Sequence, residues 1–557
     1  MSKQLKYIST FLLFLAIHLL FFYLHPVGST HPWYSITPPL MAICLAFLTH
    51  TLTISLGASE FTGVVLTEFI FRSSPGPFIS TISNTFLIPW SAFSDPINLE
   101  ILGFVSSILV LISILISSGG VRGVIIILAN WVNSRLKAQL VPAVLGLLIF
   151  IDDYANTMIV GSTSRPLTDK FKISREKLAF LVDATSAPVA GISIVSTWIG
   201  FEVGLFSNIS KELNFGKDGY SMFFDAISFR YYCIFMLFFV FATILLKVDF
   251  GPMRAAERRA KETGQLQSPS ATNSPSSAFQ LSQEAEGIRP AAQTAIIPLL
   301  FLLLFVFTGL WIDGGGAQLG LLELFQISSW MKVLQSSQNG ITILLMAGGA
   351  GVGLAAFLAL VVSKLKFSSL LTTVVSGLKS SLLPVLILVL AWSLKSVCDN
   401  LETGKFLAET LSSHSSPLYF PFFVFLLSAV TAFATGTSWG TMSILIPTIT
   451  PVAFELDGGV YSLTTILTLA SILDGSILGD HCSPISDTTI MSSISSSCDH
   501  IDHVKTQLPY SLFVGLFALM VGYIPAAFGI SSLATYLIGI SGILLTLLLI
   551  KKYQKSF

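Results

Sequence analysis

Many apolar stretches of about 20 residues run through this chain, and that is the length an α-helix needs to cross a bilayer. Hydrophobic residues make up 53% of the 557 residues and charged residues 11%, whereas a soluble protein carries about 25% charged residues. The formal net charge of +0 offers no basic surface for nucleic acid, so we expect no nucleic-acid partner. The sequence therefore predicts an all-α polytopic membrane protein with about 11–14 hydrophobic segments in contact with membrane lipid.

Polar and broken segments divide the chain into five predicted regions. The stretch at 251–292 is rich in Ser, Ala and Gln with mixed charge, and we expect a flexible cytoplasmic linker because this composition cannot bury a core. The regions are N-terminal scaffold helices (1–98), a first repeat (99–250) with a hairpin at 138–163, the linker (251–292), scaffold helices and a second repeat (293–507) with a hairpin at 417–455, and C-terminal helices (508–557).

Lysine and arginine predict the orientation, because they favour the cytoplasmic side of a membrane. The loop at 165–177, the linker and both ends of the chain are basic, so we expect them to be cytoplasmic. The stretch 138–163 is basic at both edges although it is about one span long, which predicts a re-entrant hairpin that turns near Asp152. The stretch 417–455 has no basic edge and predicts a matching hairpin from the other side, turning at 435–441.

A shared Asp, Ser and Pro pattern indicates an internal repeat. Asp-Ala-Thr-Ser-Ala-Pro at 183–188 can be aligned with Asp-His-Cys-Ser-Pro at 480–484. The basic residues give the two halves opposite orientations in the membrane. We therefore predict two inverted-topology repeats with broken helices and re-entrant hairpins, an arrangement typical of secondary transporters.

Two polar clusters interrupt the apolar segments of the first half. Asp152, Asp153 and Asn156 lie at the predicted hairpin turn, where adjacent carboxylates can hold a cation or exchange a proton. A solvent-exposed loop is the alternative. Asp183 and Ser186 precede a proline, which removes a backbone donor and frees a carbonyl one turn earlier. Carboxylate, hydroxyl and carbonyl oxygens suit a hard cation, whereas an ordinary proline kink needs no ligand.

Two further clusters lie in the second half. Thr437 and Ser438 belong to a run of threonines and glycines that offers neutral oxygen ligands, or else small residues for helix packing. Asp480, Ser483 and Asp487 interrupt a hydrophobic segment, where an ionised side chain costs roughly 3 kcal/mol. A proline between the two aspartates is expected to break the helix and bring both to one cavity. A polar loop at the membrane edge is the alternative.

Two other pairs of polar residues have less specific spacing. Lys395 and Asp399 stand four residues apart at the end of an apolar span, which permits a structural ion pair or a lysine that balances an emptied cation site. His500 and His503 are spaced like metal ligands, but the neighbouring Asp and Lys residues favour a solvated turn.

In these clusters the sequence resembles the NhaC-type sodium/proton antiporter family of the ion-transporter superfamily. The resemblance covers roughly residues 100–250 and 295–550 and rests on the segments 150–157, 183–188, 436–441 and 479–489, the last followed by 498–510. It implies a helical bundle of two inverted repeats that exchanges cytoplasmic sodium for external protons across a bacterial inner membrane. It also implies a site formed by Asp152, Asp153, Asn156, Asp183, Thr437, Ser438, Asp480, Ser483 and Asp487.

We therefore predict a secondary antiporter in which Asp183 and Asp480 hold sodium and protonation of the same carboxylates competes with it. The protein is expected to have no cofactor and not to be an enzyme, and a homodimer is compatible with this prediction. We do not expect hydrolysis or redox chemistry to drive transport, since neither a Walker A nor a haem-binding CxxCH motif occurs. The alternative is a sodium- or proton-coupled exchanger of small carboxylates, such as malate and lactate, or of amino acids. Against it, we expect no membrane arginine near these motifs, with Lys395 the only candidate cation.

Overall fold

The computed structural model describes residues 33–49, 51–71, 77–268, 288, 290–320, 323, 326, 329–330, 333, 336–403, 406, 416–484 and 486–555. All regular structure in these ranges is helical, which confirms the all-α prediction. Residues 1–32, the first part of the predicted N-terminal helices, and about half of the linker (269–287 and 289) lie outside the described residues.

The described part of the first half contains thirteen α-helices. They are α1 (Thr37–Thr49), α2 (Leu52–Val65), α3 (Pro77–Ser94), α4 (Pro96–Ser117), α5 (Gly120–Asn130), α6 (Arg135–Leu148), α7 (Asp153–Lys170), α8 (Arg175–Asp183), α9 (Ala187–Ala190), α10 (Thr197–Leu213), α11 (Gly219–Ile227), α12 (Tyr231–Leu246) and α13 (Gly251–Thr263). The second half contains α14 (Gln293–Asp313), α15 (Gly340–Val361), α16 (Phe367–Asn400), α17 (Phe420–Thr435), α18 (Ser438–Leu456), α19 (Leu463–Cys482), α20 (Asp487–Ser496), α21 (His500–Phe517), α22 (Ile524–Ala527) and α23 (Ser532–Lys555).

Within the described ranges, 8 helices are long and apolar enough to cross a membrane, by length and composition. Burial separates central helices from peripheral ones. The apolar window of α19 is 89% buried inside the protein, whereas that of α23 is 22% buried, so α19 lies at the centre of the bundle and α23 faces lipid. The helix that carries Asp480 is therefore surrounded by protein.

The basic segments that the sequence placed on one side of the membrane lie together in the structure. Arg259 of α13 pairs with Glu176 at the start of α8, with 2.8 Å between Nη2 and Oε1. Near the C-terminus, Gln554 donates a hydrogen bond to the carbonyl of Asp249 at 2.7 Å. These contacts put the loop before α8, the start of the linker and the C-terminal end at one end of the bundle, here called the basic end.

The prediction that a flexible linker begins at residue 251 is wrong for its first part, because that part forms α13. Met253, Ala256 and Ala260 recur at helical spacing and are buried, so this polar segment has one apolar face. Glu257 is also buried and pairs with Arg135 at 2.7 Å. The average composition of the segment concealed this periodic face.

Each half contains a helical hairpin with an interrupted turn. The first hairpin is α6–α7, which starts and ends at the basic end. The second hairpin is α17–α18, and it starts at the opposite end, because Tyr419 packs against Phe528, with 6.1 Å between ring centroids. Phe528 directly follows the continuous helical stretch His500–Ala527, which comprises α21 and α22. This stretch begins near the basic end, where Arg175 donates to the carbonyl of Ser496 at 2.8 Å. The hairpins therefore start from opposite ends of the bundle, while the internal sequence repeat stays a prediction.

Candidate cation site

Asp183 is the last residue of α8, and its side chain is fully buried. Its Oδ2 accepts hydrogen bonds from Gln507 Nε2 at 2.5 Å and Thr489 Oγ1 at 3.3 Å, and its Oδ1 accepts one from Ser492 Oγ at 3.2 Å. His503 Nε2 lies 3.4 Å from Oδ2. One carboxylate of the first half is therefore surrounded by polar side chains of α20 and α21 from the second half.

The chain is interrupted after Asp183, and this first broken helix (α8–α9) is fastened to the first hairpin. Ser186 Oγ donates to the Asp183 carbonyl at 2.7 Å, so this hydroxyl closes the turn. Asn156 Nδ2 donates to the carbonyls of Thr185 at 3.0 Å and Gly146 at 2.8 Å. Asn156 Oδ1 is buried and has no hydrogen-bond partner among the described residues, so the amide presents one free oxygen.

Asp480 lies near the end of α19 and is 2% exposed. Its Oδ2 accepts a hydrogen bond from Thr488 Oγ1 at 2.6 Å. Thr489 Oγ1 lies 3.4 Å from the carbonyl oxygen of Asp480 and also contacts the carboxylate of Asp183. The two aspartates predicted to hold sodium thus share one hydroxyl neighbour. We call Asp183, Asp480, Thr488, Thr489 and Ser492 the carboxylate cluster.

The second broken helix (α19–α20) is interrupted between Cys482 and Asp487. Ser483 Oγ donates to the carbonyl of Phe433 at 2.6 Å, which ties the interruption to α17. Asp487 is the first residue of α20 and is exposed, and the hydroxyl of Tyr154 from the first hairpin hydrogen-bonds to it. The interruption puts Asp480 and Asp487 on different helices, one buried and one exposed.

Asp152 and Asp153 stand at the turn of the first hairpin but have different surroundings. Asp152 caps α7, since its Oδ1 accepts from the backbone of Ala155 at 2.8 Å, and its Oδ2 accepts from Thr197 Oγ1 at 3.0 Å. Asp153 is 3% exposed, and its Oδ1 has no hydrogen-bond partner in the described part of the chain. Of the two, Asp153 therefore has a free carboxylate oxygen, while Asp152 connects the hairpin to the start of α10.

Thr437 and Ser438 lie at the turn of the second hairpin. Thr437 Oγ1 accepts from a backbone amide one turn later at 3.2 Å and so caps α18, and Ser438 is buried. Next to them, Trp439 stacks on Phe201 of α10 with centroids 4.4 Å apart and meets Trp198 edge-on at 6.2 Å. Both hairpin turns therefore contact the beginning of α10.

Lys395 forms ion pairs with two acids outside the carboxylate cluster. Its Nζ lies 2.7 Å from Asp399 Oδ2 and 2.6 Å from Glu212 Oε2. The ion pair with Asp399 that the spacing predicted is therefore present, and Glu212 of α10 is a second partner. Two carboxylates therefore face this lysine, and neither belongs to the carboxylate cluster.

The interpretation of the histidines as a solvated turn is wrong for His503, which is fully buried beside Asp183. His503 and Gln507 are four residues apart on α21, so both reach the same carboxylate from one helix face. His500 Nε2 lies 2.6 Å from the carbonyl of Pro484 and is bound to the second broken helix. The four-residue spacing of His503 and Gln507, which places them on one helix face, is the sequence feature that could have identified them as neighbours of a buried acid.

The expectation that no membrane arginine lies near these motifs is also wrong. Arg230, directly before α12, is fully buried, and its Nε lies 2.9 Å from Asp474 Oδ1. Its Nη1 lies 3.3 Å from Glu202 Oε1, and both acids are fully buried. Asp474 is six residues before Asp480 on α19. Arg230 directly precedes an apolar run, so the sequence suggested a basic residue at the membrane edge and not a buried one. We call Glu202, Arg230 and Asp474 the buried triad.

The helical bundle and its buried carboxylates define a multi-pass membrane transporter. A sequence profile of the Na+/H+ antiporter family matches residues 189–528, more than half of the chain. The chain therefore belongs to the Na+/H+ antiporter family, which confirms the resemblance inferred from its motifs. This membership indicates a transporter and not an enzyme.

Several known proteins resemble the chain. An uncharacterized protein of Haemophilus influenzae is 29% identical over 546 residues, which is 97% of this chain and 99% of that protein. The arginine/ornithine antiporter ArcD of Halobacterium salinarum is 38% identical over 94 residues, 17% of this chain and 18% of that protein. The malate-2H(+)/Na(+)-lactate antiporter of Bacillus subtilis is 31% identical over 96 residues, 17% of this chain and 19% of that protein.

The fold is also similar to a solved structure. The YdaH transporter of Alcanivorax borkumensis superposes with a TM-score of 0.55 at 12% sequence identity, covering 89% of this chain and 99% of that one. At this identity the likeness concerns the fold alone.

Proposed function

We propose that this protein exchanges cytoplasmic Na+ for external protons by alternating access across a bacterial inner membrane, with both termini in the cytoplasm. The observation that carries the proposal is the environment of Asp183. This fully buried carboxylate of the first half is surrounded by hydroxyl and amide groups of the second half. Membership of the Na+/H+ antiporter family supports the same cargo.

The oxygen atoms of the carboxylate cluster suit a hard monovalent cation. Asp183 and Asp480 supply negative charge, while Thr489 and Ser492 supply neutral hydroxyl oxygens that can turn their lone pairs toward an ion. A site with few charges binds Na+ weakly enough to release it on the other side. Because its groups belong to both halves of the chain, a movement of one half against the other would change the ligand shell and the side from which Na+ enters.

Competition at the same carboxylates would couple the proton. Two carboxylates in a poorly solvated interior need a compensating charge, and either Na+ or protons can provide it. A cluster that is sodium-bound while ionised, or protonated and empty, cannot carry both cargoes together. Exchange therefore follows because the cluster alternates between a sodium-bound state and a protonated state.

Everted membrane vesicles with an imposed proton gradient provide the test. We expect Na+ to dissipate the gradient in the wild type, and Asp480→Asn to reduce this activity by at least about 100-fold, because the loss of one buried charge that holds a partner costs about 3 kcal/mol. Asp95→Asn is the matched control, since Asp95 forms an ion pair with Lys211 near the surface, outside the cluster. Retained exchange in the Asp480 variant would refute the site assignment.

A second candidate function is the exchange of small carboxylates or amino acids, and two observations support it. Two relatives are named as antiporters of such compounds, and Arg230 is a buried cation close to the cluster along α19. Proteoliposomes loaded with malate, lactate, arginine or ornithine separate the two functions. Counterflow of one of these compounds would favour the second candidate, whereas sodium-dependent proton movement without any of them supports sodium/proton exchange.

A further inference from the structure

The buried triad carries an unbalanced charge. Glu202 and Asp474 are both fully buried, and both face the single guanidinium of Arg230. With both carboxylates ionised the group has a net charge of −1, which is expensive in a poorly solvated interior. The remaining titratable side chains that face the triad are neutral thiol and phenol groups, namely Tyr231, Tyr232, Cys233, Tyr523 and Tyr536. The group therefore has one place for an additional positive charge.

The hydrogen bonds of the triad identify Glu202 as the acceptor of that charge. Asp474 is fully engaged: its Oδ1 accepts from Arg230 Nε at 2.9 Å and Cys233 Sγ at 3.3 Å, and its Oδ2 accepts from the Tyr232 amide at 2.6 Å and Tyr523 Oη at 2.9 Å. Glu202 has only long contacts to Arg230 Nη1, at 3.3 and 3.4 Å. A proton on Asp474 would disturb four donors, whereas a proton on Glu202 disturbs one.

Hydrogen bonds through three residues, Tyr232, His481 and Gln507, join the triad to the carboxylate cluster. The amide of Tyr232 binds Asp474, and its hydroxyl lies 3.0 Å from His481 Nδ1. Gln507 Nε2 then donates to the carbonyl of His481 at 2.9 Å and to Asp183 at 2.5 Å. The triad also contacts the first broken helix, because Arg230 Nη2 would lie 2.8 Å from a Cβ placed on Gly191. The two sites are therefore linked by direct contacts.

We propose that Glu202 is a second proton-binding site, and that it releases its proton when Na+ binds between Asp183 and Asp480. The inference rests on the proposed function, since it requires Na+ at the cluster. When Na+ binds to the cluster in its ionised form, the cluster gains one positive charge, and the triad changes from neutral to −1 as the proton of Glu202 leaves for water. The total charge of the two sites is thus unchanged.

The distance between the sites sets the size of the coupling. Asp474 and Asp480 are six residues apart on α19, which corresponds to about 9 Å along a helix axis. Two unit charges at about this distance and an effective dielectric constant of about 20 change each other's binding constants roughly 20-fold. By reciprocity, a proton on Glu202 weakens Na+ binding by the same factor.

The test measures Na+ binding and proton release on the purified full-length protein. Radioactive Na+ gives the affinity across a range of pH, and a pH-sensitive dye in weak buffer gives the protons released per Na+ bound. We expect Glu202→Gln, which keeps the triad neutral, to release up to about 0.6 proton fewer per Na+ near the pH midpoint of Glu202, because that is the largest release a 20-fold coupling permits. Its Na+ affinity is expected to fall about 20-fold at alkaline pH and to remain unchanged at acid pH. A merely structural role of Glu202 would not produce this dependence on pH.

Two further variants make the result unambiguous. Glu100→Gln is the control, because Glu100 is a half-buried acid that accepts a hydrogen bond from Thr342 at 2.7 Å outside both sites. Glu202→Asp keeps a titratable group and is expected to restore this proton release with a shifted pH midpoint. If the Gln variant does not fold, infrared difference spectra of the wild type and the Asp variant replace it. The Na+-induced loss of a protonated-carboxyl band that shifts between the two supports the proposal, and an absent or unshifted band refutes it.

The outcomes separate this inference from the proposed function. Unchanged proton release and unchanged Na+ affinity in Glu202→Gln would overturn the second proton site while leaving the sodium site intact. A wild-type protein that binds no Na+ would overturn the proposed function, and the inference with it.

Discussion

The contact between α17 and α19 leads to a sharp prediction for Gly479→Ala, one residue before Asp480. A Cβ at Gly479 would lie 2.1 Å from the carbonyl oxygen of Ala429 and 2.7 Å from the backbone nitrogen of Phe433. A carbon atom approaches an oxygen to about 3.3 Å, so the helices would have to separate by about 1 Å. Both obstructing atoms belong to the backbone of α17, and no side-chain rotation can relieve the contact.

The expected cost follows from two opposing terms. Overpacking of a close helix contact costs about 3 kcal/mol when backbone atoms obstruct it, while replacing Gly by Ala inside a helix gains about 1 kcal/mol. The net destabilisation is thus about 2 kcal/mol. Separation of the helices also stretches the 2.6 Å bond from Ser483 to the carbonyl of Phe433 and displaces Asp480. We therefore expect reduced thermal stability together with weaker Na+ binding.

Gly353→Ala is the matched control for this experiment. Gly353 lies inside α15, and in the described part of the chain no heavy atom outside the backbone of this helix lies within 4 Å of a Cβ added there, so only the gain in helix propensity remains. We expect this control to melt at or above the wild-type temperature and to exchange ions normally. Thermal unfolding of the detergent-purified proteins and Na+-dependent dissipation of a proton gradient in vesicles measure both effects. Equal stability and exchange in the two variants would refute the packing argument.

Two further predictions concern the hairpin turns. Asn156→Ala removes the donor shared by the carbonyls of Gly146 and Thr185, so we expect about 2 kcal/mol of lost stability and slower exchange, measured by thermal unfolding and vesicle assays; an unchanged melting temperature would contradict it. Trp439→Ala removes the ring that stacks on Phe201, so we expect weaker exchange, whereas Trp439→Phe keeps an aromatic contact and most of the activity. Equal loss in both Trp439 variants would show that stacking is not the cause.

Local features of the sequence predicted the interrupted helices well. The interruption near Asp152, the one after Asp183 and the one between Asp480 and Asp487 all occur in the structure. Each depends on residues that act on their own neighbours: a proline without a backbone donor, or a hydroxyl or carboxylate that caps a helix. The conspicuous polarity of these runs within apolar segments made them visible without any knowledge of the packing.

The partners of these residues could not be predicted in the same way. Arg230 and Asp474 are 244 positions apart in the chain, and their pairing depends on how α12 packs against α19. His503 is separated from Asp183 by an even longer stretch, and its polar neighbours favoured a solvated turn. In both cases the sequence suggested a residue at the membrane edge, next to the end of a transmembrane helix. Burial against a helix from a distant part of the chain cannot be predicted from the neighbouring residues.

The beginning of α10 connects the separate parts of the site. Thr197 binds Asp152 at the first hairpin turn, Phe201 stacks on Trp439 at the second, and the next residue, Glu202, belongs to the buried triad. These residues occupy less than two turns of one helix, so a shift of about 1 Å in α10 would move all three contacts together. A change in the carboxylate cluster that displaces either hairpin would therefore also alter the distance between Glu202 and Arg230. On this argument, disruption of the Trp439 stacking should change the number of protons released per Na+ bound, and not only the rate of exchange.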